Sequence, residues 1–104
     1  MGLKNLQDDV EKWTGQFTQQ YRTPHEVLAL LMEETGELAR EINHLYGPKK
    51  KKDSEDKREL GEEIADIVST LCCLANSQKI DLDMCWKQVI EKCYGRDNNR
   101  YQKK

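Results

Sequence analysis

The chain has 104 residues, 37% of them hydrophobic and 35% charged, with two prolines and six glycines. That balance fits one small helical domain whose modest core a second copy would enlarge. A net charge of −2 argues against a general nucleic-acid binder, because no basic excess stands ready to neutralise phosphates. No apolar run nears the roughly 20 residues that cross a bilayer, and the first residues lack a signal-peptide core, so a cytoplasmic protein is expected.

The four cysteines, Cys72, Cys73, Cys85 and Cys93, form no CxxC pair. They read as small reduced residues in helix packing rather than zinc ligands.

Leu3, Leu6, Val10, Trp13 and Phe17 recur at helical spacing and predict a first amphipathic helix from about residue 3 to about 19, weakened near its end by Gly15. Trp13 reads first as a core aromatic on that stripe; stacking on a nucleobase is its second reading.

Thr23-Pro24-His25-Glu26 is a helix start. Thr23 can cap, Pro24 suits the first helical position and Glu26 completes a capping box. The second helix then runs to about Tyr46 and stops at Gly47-Pro48. Gly36 inside it weakens the helix by about 1 kcal/mol relative to alanine. Close approach of a partner helix is one reason for it, a tolerated defect the other.

Lys49 to Asp56 contains no apolar residue and reads as a solvated, mobile loop. Its four lysines, Lys49 to Lys52, read first as solubilising and second as a polyphosphate contact. A third helix is expected from about Lys57 to Ser77. Asp81 caps a fourth, with Leu82, Cys85 or Trp86, Val89 and Ile90 or Cys93 facing inward, which stops near Gly95. Residues 97–104 form a polar tail that either frays or folds over a ligand. The reading is a single all-α domain, a four-helix bundle.

The candidate site lies in the acids. Val27, Leu31, Leu38, Ile42 and Leu45 make an apolar stripe, and Glu34 falls where the next apolar residue belongs. Likewise Glu63 interrupts the stripe Leu60, Ile64, Ile67, Leu71 and Leu74. Glu34 pairs with Glu37 on one face of its helix, and Glu63 with Asp66. Carboxylates on a buried seam need protonation, a partner or a metal. If the two helices pack together, four acids converge, and oxygen-only ligands select hard cations such as Mg²⁺ or Mn²⁺. Such metals meet their substrates through phosphate oxygens, orient a water and lower its pKa. Neither histidine lies within the motifs, so His25 and His44 read as surface or capping residues. A solvated charge display is the plain alternative for the acids.

Glu33-Glu34-x-x-Glu37 followed by Glu63-x-x-Asp66 resembles the EExxE…ExxD signature of the MazG-like, all-α nucleoside triphosphate pyrophosphohydrolases. Thr23-Pro24 with its Leu-rich run, Gly36-Glu37-Leu38, Asp66-Ile67-Val68 and Ile80-Asp81-Leu82 resemble that family too. The likeness covers about residues 20 to 96 and is greatest to the short, single-domain bacterial members. It implies a four-helix fold working as a homodimer or dimer of dimers. It also implies Mg²⁺-dependent hydrolysis between the α and β phosphates, as house-cleaning of non-standard or surplus nucleotides.

Carried over by position, the metal ligands would be Glu34, Glu37, Glu63 and Asp66, with Glu33 orienting a water and Glu62 competing with Glu63. Lys92 and Arg96 would contact the nucleotide, although Cys93 stands where the family often has asparagine. Asn76 is a further substrate-binding candidate. The rival activities are hydrolysis of phosphoribosyl-ATP, and a catalytically silent helical dimer that binds nucleotide or protein.

Overall fold

The structure, a computed structural model, describes residues 2–48 and 57–104. The Lys49–Lys52 run and the rest of the expected loop lie outside the described residues. Four helices follow in order: α1 (Leu3–Thr14), α2 (Pro24–Tyr46), α3 (Arg58–Ser77) and α4 (Leu82–Tyr94). Among the described residues there is no strand, and no helix is long and apolar enough to cross a membrane.

Local chemistry sets most of the boundaries. At the start of α2 the Glu26 amide donates to the Thr23 hydroxyl at 3.3 Å, and the Thr23 amide donates to Glu26 at 2.9 Å. This reciprocal cap satisfies two donors that a helix start leaves open. The helix ends at Gly47, as Gly47-Pro48 predicts. Asp81 caps α4 by accepting from the Asp83 amide, and Gly95 closes that helix.

α1 is shorter than its apolar repeat suggests, ending at Thr14 rather than near residue 19. Gly15 weakens the helix there, and the Thr14 hydroxyl bonds back to the Val10 carbonyl at 2.8 Å. The inward face of α1 also differs from the expected one. Gln7 and Thr14 are buried, Leu3 and Val10 half-buried, while Leu6, Trp13 and Phe17 are exposed.

Gln7 explains that rotation. It is 2% exposed, and its side-chain amide donates to Asn76 at 2.9 Å and to the Ile80 carbonyl at 2.7 Å. The same side chain accepts from the Leu82 amide at 2.9 Å, and Asn76 donates back to the Gln7 carbonyl at 2.9 Å. One glutamine thus ties α1 to the end of α3 and the start of α4.

α2 packs on α3, α3 on α1, and α1 on α4. Val27, Cys72 and Ala75 form the fully buried apolar core. α4 buries no residue; only Leu82 of its expected inner face is half-buried, whereas Cys85, Trp86, Val89, Ile90 and Cys93 are exposed. The radius of gyration is 17.1 Å, against about 13 Å for a compact chain of this length. The four-helix architecture holds, but within one chain the bundle stays open on the α3 and α4 side. The packing role expected for the cysteines holds for Cys72 and in part for Cys73, and fails for the other two. An added Cβ at Gly36 would meet nothing within 4 Å, so no close approach within the chain requires a glycine there.

Candidate active site

The α2–α3 interface carries the acids, and its helical register decides which of them meet. Glu34 is half-buried and accepts a hydrogen bond at 2.7 Å from the hydroxyl of Thr70, one turn past Asp66 on α3. Glu63 is half-buried as well, whereas its neighbour Glu62 is exposed. Burial raises the Glu63 carboxyl above the ordinary glutamate range, and the nearby acids Glu37, Asp66 and Glu41 push it further. One oxygen of Glu63 is buried without a hydrogen-bond partner. Glu34 and Glu63 thus lie on the α2–α3 seam with part of each apolar stripe, whereas Ile42, Ile64 and Leu71, expected on the same stripes, are exposed.

Glu37 and Asp66 are solvent-exposed at the open edge of this group, and Glu33 lies on the exposed side of α2. Glu41 lies outside both acidic motifs, yet it is 6% exposed and counts among the charges that raise Glu63. Its signal was available, because residue 41 follows Glu37 by one turn and Glu34 by two. His44, expected at the surface or as a cap, is the basic residue of the last turn of α2; it is half-buried, with Nδ1 3.9 Å from Glu41. Thr70 was missed because only packing brings it to Glu34.

Among the described residues, no three of His, Cys, Asp and Glu converge closely enough to make a ready-made metal cage. The donor set nevertheless fits a hard cation. It is all carboxylate, and its member Glu63 is raised first by burial and then by the acids around it, Glu37 foremost. Cations of that kind keep several waters and share their ligands with substrate phosphates, so a complete protein cage is not required.

Beside the acids, a cavity of about 330 Å³ opens between the end of α1, the segment leading into α2, and α3. Trp13, Phe17, Tyr21, Arg22, Thr70 and Cys73 are among its walls. Trp13 is 63% exposed rather than a core aromatic, and packs edge-on against Phe17 with ring centres 5.2 Å apart. Cys73 connects the two regions: burial raises its thiol, Arg22 opposes the shift, and the Glu34 charge adds to it.

The Asn76 side chain accepts from the Gln7 amide and donates to the Gln7 carbonyl, and it also bonds Tyr21 of the cavity wall; it braces α1 against α3. The other candidates lie elsewhere. Arg96 pairs with Asp97 through two nitrogens, at 2.9 and 3.3 Å, and Arg100 reaches the same carboxylate at 3.2 Å. Lys92 also lowers the Asp97 pKa, after the contribution of Arg96. These cations gather at the end of α4, which packs on α1 rather than on the acidic pair. Of the tail, Asp97 and Arg100 are drawn into this turn, and residues 101–104 are exposed.

Comparisons with known proteins identify the family. The Bacillus subtilis (strain 168) protein YpjD is 44% identical over 102 residues, covering 98% of this chain and 92% of that one. Its crystal structure superposes with a TM-score of 0.81, over 88% of this chain and 94% of that one. The Bacillus-conserved MazG protein, a nucleotide pyrophosphohydrolase, superposes with a TM-score of 0.76 at 39% identity, covering 88% of each chain. The MazG nucleotide pyrophosphohydrolase domain matches residues 22–101, a span that holds both acidic motifs. The chain belongs to the MazG nucleotide pyrophosphohydrolase family.

Proposed function

We propose that this enzyme hydrolyses a nucleoside triphosphate between its α and β phosphates, with Mg²⁺ held by Glu34, Glu37, Glu63 and Asp66. Water adds at the α phosphorus, the bond to the bridging oxygen breaks, and the products are a nucleoside monophosphate and pyrophosphate. The observation that carries this reading is the approach of Glu37 and Glu41 of α2 to the half-buried Glu63 of α3, which has Asp66 beside it on its own helix. Crowded carboxylates of this kind repel each other until a cation joins them. A bound magnesium ion would neutralise phosphate charge and lower the pKa of a water. Mn²⁺ has the same oxygen preference and would substitute.

The chain supplies orientation around that centre. Thr70 fixes Glu34. The adjacent cavity takes the base, with Trp13 as its aromatic face, since every base offers a π surface for stacking. Glu33 stands next to Glu34 as a candidate for orienting water. Lys92 and Arg96 would reach a triphosphate only across an interface between copies.

A homodimer or dimer of dimers belongs to the same proposal. Leu71, Met84, Trp86, Val89 and Tyr94 leave an apolar surface on α3 and α4. A groove of about 390 Å³ lies beside it, lined by Leu3, Val68, Leu71 and Leu82 among others. Contiguous exposed apolar side chains of this kind mark association sites. The role that follows is house-cleaning of surplus or non-standard nucleotides in the cytoplasm.

Pyrophosphate release from a panel of deoxynucleoside and ribonucleoside triphosphates, with phosphoribosyl-ATP alongside, tests the reading. Glu37→Ala and Asp66→Ala should each lower turnover by at least about a hundredfold while the helical spectrum is kept. Near-native turnover in either variant at saturating Mg²⁺ would overturn the assignment.

A further inference from the structure

We propose that Thr70 is a positioning residue that sets the carboxylate of Glu34 for metal binding. The inference rests on the metal-dependent reading above and assigns a role outside the two acidic motifs.

The Thr70 hydroxyl donates to Oε1 of Glu34 at 2.7 Å. Thr70 is 7% exposed, so water does not compete freely for its hydroxyl. The direction of this bond is informative. A threonine inside a helix usually turns its hydroxyl to the carbonyl four residues back, which here belongs to Asp66; instead it reaches across to α2. Threonine has only one side-chain torsion between its hydroxyl and the backbone, and β-branching with burial restricts it, so few arrangements of this donor compete with the observed one. Glutamate, by contrast, has a broad terminal torsion, and ordering such a side chain costs about 1–2 kcal/mol. Fixing one carboxylate oxygen in advance removes part of that cost from the binding step. Partners that orient metal ligands in this way typically govern affinity by about 10–100-fold.

Manganese calorimetry without nucleotide, paired with a melting curve for each variant, gives a readout independent of turnover. Thr70→Val keeps the shape and removes the hydroxyl; Thr70→Ser keeps the hydroxyl and removes a methyl group. The expected result is a roughly tenfold loss of Mn²⁺ affinity in the valine variant and recovery to within about twofold in the serine variant. A packing role predicts the opposite order, with valine harmless and serine weakened. Equal affinities in wild type and Thr70→Val would remove Thr70 from the site while leaving the hydrolase reading intact. Absence of Mn²⁺ binding by the wild-type protein would overturn both. Should the valine variant fail to fold, Thr70→Ala against Thr70→Ser makes the same comparison, and equal binding by those two also overturns the proposal.

Discussion

Glu63 on α3 faces Glu37 on α2, and it does so as a half-buried acid that its surroundings push toward the protonated form. Burial is the larger cause, and Glu37 is the first of the three acids that add to it. An acid whose pKa is raised by folding stabilises the fold while protonated. That contribution is fully present below the unfolded pKa and is lost as pH rises through the folded value. At neutral pH without divalent metal, Glu63 therefore works against folding. Glu63→Gln should melt higher than wild type at pH 7 in a chelator, and the gap should close on acidification through the glutamate range. Added Mg²⁺ should raise the wild-type melting temperature more than that of the variant. Melting curves between about pH 4 and pH 8, with and without Mg²⁺, check both signs.

Gln7 and Asn76 form the next test, because they separate bracing from substrate contact. Gln7→Ala removes three side-chain hydrogen bonds at a buried position. It should cost about 2–4 kcal/mol in urea unfolding. Asn76→Ala should also destabilise, and the two losses should couple by about 1–3 kcal/mol in a double-mutant cycle. A higher KM for Asn76→Ala with unchanged stability would return Asn76 to the substrate.

Legibility in the sequence followed the range of the chemistry. The boundaries of α2 and α4 were readable because Thr23, Glu26, Asp81 and Gly95 act within one turn. The facing acids were readable because Glu34 and Glu63 each interrupt an apolar stripe, and such a break has few physical explanations. The inward face of α1 was not. A rule that sends apolar residues inward picks Leu6 and Trp13, whereas the Gln7 hydrogen bonds to α3 and α4 rotate the helix the other way. α4 misled for a related reason: its apolar positions were real, but among the described residues α1 is the main element packed against it. Thr70 and Glu34, 36 residues apart, share no local pattern at all.

Trp86 tests the open side of the bundle. It is 57% exposed on a helix with no buried residue, a state an isolated chain would not favour. Trp86→Glu should shift the protein from oligomer to monomer in sedimentation experiments and lower its melting temperature. A wild-type protein that sediments as a monomer at micromolar concentration would end the oligomer proposal.

The cap of α2 makes a pH prediction of opposite sign. The backbone amide of Thr23 is the main cause holding the Glu26 carboxyl below the ordinary glutamate range, with the Thr23 side-chain bond next. A depressed acid contributes above its unfolded pKa and loses that contribution as pH falls through the folded value. Glu26→Gln should therefore flatten the acid limb of the stability profile below about pH 4. Thr23→Ala should cost about 1 kcal/mol near neutrality. Identical acid limbs for wild type and Glu26→Gln would show that the charge contributes nothing at this cap.

Lys79 offers a change in the stabilising direction. It is the one non-glycine residue with positive φ among the described residues, at 58°, just past the end of α3. There the Ile80 amide turns back to the Ala75 carbonyl at 2.9 Å. A helix that closes this way favours glycine at the left-handed position, because a Cβ crowds the following carbonyl. Lys79→Gly relieves that crowding but also loosens the unfolded chain, and the relief should win by about 0.5–1 kcal/mol. Urea unfolding should show a higher midpoint with an unchanged slope. Because Gln7 anchors the same turn through the Ile80 carbonyl, the gain should be smaller in a Gln7→Ala background, where the turn is already loosened.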